Sequence, residues 1–278
     1  MANDRDPRSD LGAWLGEELR RARLDAGFTS QDQLARELGF DRTVIVKAET
    51  GARPPSEDVA PKIAEMFPGL CNGLYVRLAA IARKSNGPIP GWFADWLGRE
   101  REAISVRIWQ PIIVPGLLQT AEYAQALFAG ERKGIDADAL ADLVAARIGR
   151  QAIFDKPEPP HLWVVLGEAV LHRLIGSPKV MHDQLTYLAD MSERSYIMIQ
   201  VVPASAGAHG GLACAFLIGS VDGEPDLLLI EAIEDQTIRD PEVVRKAAVA
   251  FGLVRGDALP RGASQDLILK VAEDKWNV

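Results

Sequence analysis

Apolar and polar residues along this chain recur at two periods, and the dominant period changes with position. From Leu11 the run LGAWLGEELRRARLDAG places Leu11, Trp14, Leu15, Leu19 and, less regularly, Ala22 on one face. That spacing predicts a helix, which Gly27 ends. Thr29 or Ser30 caps a second helix, in which Leu34, Ala35 and Leu38 share a face and which Gly39 stops. Asp41 caps a third, with Val44, Ile45 and Ala48 for its buried side and Arg42, Thr43 and Lys47 left outside. Pro54 and Pro55 break the chain, and Ser56 opens a fourth helix carrying Val59, Ile63 and Phe67. Leu70 to Lys84 reads as a fifth. Two short helices crossing at a tight turn, the second with exposed Arg, Thr and Lys, form the pattern of a helix-turn-helix. That motif sets its second helix in a DNA major groove.

Beyond the polar run Ser85 to Pro90 the pattern is mixed. Trp92, Phe93, Trp96 and Leu97 make an aromatic helix face, and Ile104, Val106, Ile108 and Ile112 alternate as a strand. Thr120 caps a helix ending near Gly130, and Asp136 to Phe154 is a long helical run. Within that run Leu140, Leu143, Val144 and Ile148 fit a core or a dimer seam equally well. His161 to Leu166 reads as a strand and Ser177 to Ser192 as a capped helix. Ile197 to Val202, Ala213 to Ile218 and Leu227 to Ile230 are short apolar strands, before a helix opening at Pro241. The organisation expected is multidomain. A disordered leader (1–10) precedes an all-α helix-turn-helix bundle (11–85) and an α+β domain with a largely antiparallel sheet (90–278).

Composition adds limits. A chain of 278 residues, 47% hydrophobic, has material for two cores. No stretch reaches the roughly 18 consecutive apolar residues of a membrane span, and MANDRDPRSD lacks a secretion signal, so a cytoplasmic protein is expected. Cys71 and Cys214 lack metal-type spacing and are expected as buried, reduced thiols. The net charge of −8 changes the picture more. Residues 1–68 hold ten Lys and Arg against thirteen Asp and Glu, a net of −3, which weakens nonspecific attraction to phosphate. Yet Arg42, Lys47 and Arg53 face only Glu49 across the third helix and its exit. A small basic face on an acidic body implies contacts that are strongly salt-sensitive.

The segments SQDQLA and GFDRTVIVKAETG resemble the Cro/lambda-repressor (XRE-type) helix-turn-helix pattern, at Ser30, Gln31, Leu34, Ala35, Gly39, Ile45, Glu49 and Gly51. The resemblance implies that Gln31 touches the phosphate backbone, that Arg42, Thr43 and Lys47 face the groove, and that Glu49 is tucked away from it. Arg53 is a further candidate for phosphate, and Arg42 is the first candidate for a guanine edge. Val46 stands where Ser is usual and Ala48 where a larger aliphatic is usual, exchanging one polar contact and shrinking one core position. From about 90 to 270, GWFADWLGREREA, WQPIIVPGLLQTAEYAQAL and AGAHGGLACAFLI are similar to a C-terminal domain of unknown function that follows such heads in actinobacterial regulators. Its members are often described as toxin–antitoxin-like, which implies a sensing or partner-binding domain and a small partner protein.

Chemistry in the second region is sparse. His209 lies near Ser205 and Cys214, but no orienting carboxylate or GxSxG turn accompanies them, so no catalytic residue is assigned and no enzyme is expected. The glycine-rich connection around His209 and Gly210 reads instead as a loop with His209 exposed at its tip, able to bind a ligand or partner. Trp92 and Trp96 are aromatic candidates for the same task, although a core role suits them as well. The four histidines have no metal-site spacing, and neither metal nor cofactor is expected. The acidic run 234–242 reads as a solvated loop. The functional expectation is a DNA-binding transcription regulator, repressor or antitoxin-like, acting as a homodimer on double-stranded DNA, with no membrane association. The alternative is a protein-interaction module with a helix-turn-helix fold that has lost or weakened DNA binding.

Overall fold

The computed structural model describes residues 11–84, 91–231 and 236–277, apart from the side chains of 72–73, 81, 84 and 91–95. The expected leader and the 85–90 break lie outside the described residues. The helices α1 (Leu11–Asp25), α2 (Gln31–Leu38), α3 (Arg42–Glu49), α4 (Val59–Met66), α5 (Tyr75–Lys84) and α6 (Gly91–Glu102) come first. Next are β1 (Ser105–Gln110), α7 (Ala121–Glu131), α8 (Ala137–Gly149), β2 (His161–Gly167), α9 (Ala169–His172) and α10 (Pro178–Ser192). The chain closes with β3 (Ile197–Val202), β4 (Ala215–Ser220), β5 (Leu227–Glu231), β6 (Gln236–Ile238), α11 (Pro241–Gly256) and α12 (Arg261–Val271).

Two compact units result, and both are discontinuous. The first runs up to Arg101 and takes in Asp136–Arg150; the second comprises Glu102–Ile135 and Gln151 onward. The sequence predicts one boundary between 85 and 90, whereas the chain passes between the units three times. The physical reason lies in α8. Its Ala146 is buried in the first unit's core, and Gly149 lies so close to Leu74 that an added Cβ would sit 2.0 Å from Leu74 Cδ2. Arg77 of α5 fixes the helix further, donating to the Ala145 carbonyl at 3.1 Å. Glu100 of α6 accepts from Arg150 at 2.7 and 2.6 Å and from the Trp96 indole at 3.0 Å, all within the same unit. The first unit's core gathers Leu15, Leu19, Leu34, Ile45, Ile63 and Tyr75, each fully buried. At about 1.5–3 kcal/mol for each large apolar side chain removed from water, this core is what holds helices too short to persist alone.

The second unit is an α+β domain around a six-stranded mixed sheet, ordered β3-β2-β1-β4-β5-β6. Strands β1, β2 and β3 are parallel neighbours, and the pairings from β1 to β4, β4 to β5 and β5 to β6 are antiparallel. Three of the five pairings are thus antiparallel, as the short late connections suggest. The parallel trio follows from long helical crossovers, which return the chain to the same end of the sheet. Trp109, Val165, Phe216, Ile218 and Leu228 share one face with Val244, Phe251 and Val254 of α11. The alternate residues, among them Val106, Ile108, Val164 and Ile199, are also buried, on the face that β3 presents to α10 and α12. Ile112 lies beyond β1 and is 52% exposed, so the strand ends earlier than its alternation predicts. Strand β6 forms inside the acidic run that reads as a loop, because β5 offers it an open edge: Thr237 pairs with Leu229.

The distinctive segment WQPIIVPGLLQTAEYA is scaffold. Gln184 of α10 accepts from Thr120 N and donates to the Leu118 carbonyl, at 2.8 and 2.7 Å. Gln119 donates to Val114 O at 2.7 Å, and the Tyr123 hydroxyl accepts from Val114 N at 3.2 Å. Gln119 and Gln184 are fully buried. An irregular segment can be buried only when its backbone polar groups find partners, and these side chains supply them.

Candidate nucleic-acid interface

The local chemistry of residues 29–53 builds the turn from both sides. Ser30 is the N-cap of α2 and forms a capping box with Gln33, whose side chain accepts from Ser30 N at 3.1 Å. Gly39 ends α2 at φ +74°, a left-handed position that lacks a steric cost only for glycine. Asp41 then caps α3, accepting from Thr43 N at 2.8 Å and from the Thr43 hydroxyl at 2.6 Å. These hydrogen bonds hold the Asp41 carboxyl below its ordinary 3.8. The packing of α1 on α3 is equally specific. A Cβ at Gly16 would lie 2.4 Å from the Glu49 carbonyl oxygen, and one at Gly51 would lie 2.5 Å from Ala13 Cα. Gly51 also sits at φ +66°. Ala48, 2% exposed, occupies this same crossing, where the approaching backbones favour a small residue over the usual aliphatic.

Beneath the turn lies a buried polar pin that periodicity does not reveal. Arg23 of α1 donates from Nε to Glu49 Oε1 at 2.5 Å and from Nη2 to Oε2 at 3.2 Å. Their side chains are 6% and 2% exposed. Nη1 of Arg23 reaches the Phe28 carbonyl at 2.7 Å, and Gln31 Nε2 donates to Glu49 Oε2 at 2.8 Å. One carboxylate thereby fixes α1, the start of α2 and the end of α3 together. The signal was present in the sequence: Arg23 continues the Leu15–Leu19 row at i+4, and Glu49 continues from Ile45 in the same way. Opposite charges at two apolar-face positions predict a partner for each.

Arg42, Thr43, Lys47 and Arg53 are all exposed. Three further details refine their roles. Gln31 is half-buried with one amide hydrogen committed to Glu49, leaving its second hydrogen and its carbonyl for an outside group. Thr43 spends its hydroxyl proton on Asp41, so in this arrangement it accepts rather than donates, which suits a base amino group and not a phosphate. Glu49 is neutralised by Arg23, so the charges outside are Arg42, Lys47 and Arg53 against the exposed Asp41. Arg36, by contrast, is paired with Asp32 at 2.6 Å along α2.

The remaining candidates do not form one site. Trp96 is 1% exposed and belongs to the first unit, where it donates to Glu100. Trp92 lies in α6 with its side chain outside the described residues. His209 belongs to the second unit and is half-buried rather than exposed at a tip. Its ring packs edge-on to Trp109 at 5.2 Å, and Nδ1 accepts from Gly211 N at 3.2 Å. Trp109 in turn donates to the Gly211 carbonyl at 2.7 Å, and a Cβ at Gly211 would lie 2.6 Å from the indole. Gly210 is exposed beside this anchored loop. Cys71 and Cys214 are free thiols, the first buried and the second half-buried, and burial pushes both thiols up. Among the described residues no cluster of His, Cys, Asp or Glu is arranged to hold a metal, and no helix is long and apolar enough to cross a membrane.

Fold and geometry together define a protein with an N-terminal helix-turn-helix head and a C-terminal α+β domain. Residues 14–67 match the profile of a helix-turn-helix domain. Residues 93–270, well over half of the sequence, match that of a domain of unknown function, DUF5753, and the chain belongs to that family. No curated protein and no solved structure matches it.

Proposed function

We propose that the chain is a cytoplasmic, sequence-specific regulator of transcription, a repressor or antitoxin-like factor of XRE type, that binds double-stranded DNA as a homodimer. One observation carries this reading. Helix α3 is held from behind by a buried ion pair while its outer side presents Arg42, Thr43 and Lys47, with Arg53 at its exit. A short helix fixed at three points and left bare of packing on one side suits insertion into a major groove. Arg42 takes a guanine edge, Thr43 accepts from a base amino group, and Lys47, Arg53 and the free hydrogen of Gln31 take phosphate. Two heads related by a dimer axis address half-sites about 34 Å apart, one helical turn.

The second unit is the control element in this reading, responding to a small partner protein or a ligand. The loop carrying His209 and Gly210, anchored by Trp109 on the sheet, is the candidate for that response. The competing reading, a protein-interaction module with an idle head, draws on the net of −3 over residues 1–68 and on Asp41 at the tip of α3.

Fluorescence anisotropy on fragments from beside the chain's own coding region separates the two. The wild type binds one fragment above the rest, and Arg42→Ala costs about 1–3 kcal/mol there, concentrated on particular bases. Lys47→Ala weakens all sequences alike and reduces the salt slope by about one. Wild-type protein that binds no fragment at low salt supports the idle head.

A further inference from the structure

Helix α11 buries Val244, Phe251 and Val254 against the sheet and exposes a different kind of row. Arg245, Val249, Leu253 and Asp257 follow one another at i+4 along its outer side, the last being the C-cap. Val249 is 54% exposed and Leu253 61%, and both charged ends are exposed. The row runs over twelve residue steps, a rise of roughly 18 Å. Its chemistry is complementary to its own reverse: positive, apolar, apolar, negative.

The charges in this row differ from the others on the helix. Lys246 is paired with Glu242 at 2.8 Å, and Arg255 donates to Gln200 at 3.0 Å. Among the described residues Arg245 and Asp257 have no side-chain partner. Asp257 is also wrongly signed for its own helix, since an anion at the negative C-terminal end is disfavoured by the macrodipole. For a second α11 lying antiparallel its sign becomes favourable. Arg245 meets Asp257 of the second copy, Val249 meets its Leu253, and the same contacts recur across the axis, as an isologous interface requires. Gly252 and Gly256 flank the row, with open space where a Cβ would stand, so the two backbones can approach closely. Gly210 extends the surface, since its Cβ position is 3.9 Å from Leu253 and its loop also carries Leu212, 65% exposed.

We propose that α11 is the dimer helix of this protein, pairing antiparallel with α11 of a second copy along Arg245–Val249–Leu253–Asp257. This rests on the homodimer reading above and supplies the surface it needs. The apolar pair and close backbones provide the affinity, and the two charge pairs fix direction and register.

Sedimentation equilibrium of the full chain tests it. Leu253→Glu sets a carboxylate against Val249 of the partner and raises the dimer dissociation constant on the order of a hundredfold. Arg245→Asp and Asp257→Arg each create two like-charge contacts and raise it on the order of tenfold. Combined in one chain, the two substitutions restore it to within about threefold of the wild type, because the exchanged charges again face their opposites. Recovery in the double variant demands the antiparallel register of two copies. A dimer indifferent to all four variants, or a double variant weaker than either single, overturns the α11 surface while leaving the homodimer intact. A monomeric wild type overturns both.

Discussion

At the scale of single residues, Glu49 bears the most consequence. It accepts from Arg23 and Gln31 and is 6% exposed, so its loss leaves a guanidinium buried without a counter-charge. Breaking one side of such a pair costs about 3–5 kcal/mol, a large share of the roughly 5–15 kcal/mol by which a domain is stable. Glu49→Ala should lower the urea midpoint of the first unit accordingly, read by circular dichroism. Arg23→Met combined with Glu49→Leu should recover most of the loss, since packed apolar groups replace a buried pair at little cost. The thiols give a second check. Burial raises Cys71 and, less completely, Cys214, so both are held as thiols where a free cysteine begins to ionise. At pH 8 iodoacetamide should label Cys214 more slowly than free cysteine and should reach Cys71 only on unfolding. Labelling of Cys214 should accelerate as pH rises above its ordinary 9.0, because only then does the thiolate accumulate.

At the scale of elements, the crossing of α1 over α3 sets the head's geometry. Gly16→Ala would drive a methyl to 2.4 Å from the backbone oxygen of Glu49, which cannot move without shifting α3. A loss of about 1–3 kcal/mol is expected from overpacking of this kind, and DNA affinity should fall beyond what stability alone explains. Thermal melts beside anisotropy titrations separate the two effects. Helices and strands were largely legible in the sequence. The caps at Ser30, Asp41, Thr120 and Ser177 stand where their side chains imply, because capping is a local matter of one oxygen and nearby amides. What escaped was decided by distant chain. The parallel pairing of β1, β2 and β3 depends on crossovers of dozens of residues, and β6 depends on the free edge of β5. The docking of α8 on the first unit rests on Leu74 and Gly149 meeting across 75 residues of sequence, while Leu140, Leu143, Val144 and Ile148 stay half-buried.

At the scale of the whole molecule, two facts pull against each other: a net charge of −8 and a helix that presents arginine and lysine. The burial of Glu49 resolves part of the conflict, since the sequence counts its charge against α3 and the fold cancels it with Arg23. Of the candidate site, the exposed Arg42, Thr43 and Lys47 were readable from helical spacing, and Arg53 from its charge just past the helix. The double duty of Gln31 and the spent proton of Thr43 were not, because each depends on a partner from another turn or helix. An acidic body with a small basic face should bind bulk DNA weakly and its own site selectively, with steep dependence on salt. Selection of duplexes from a random pool by the purified full chain at low salt tests that claim most directly. Enrichment of an inverted repeat with half-site centres about 34 Å apart is expected, abolished by Arg42→Ala with Lys47→Ala. A wild-type chain that enriches no sequence over the starting pool would contradict it.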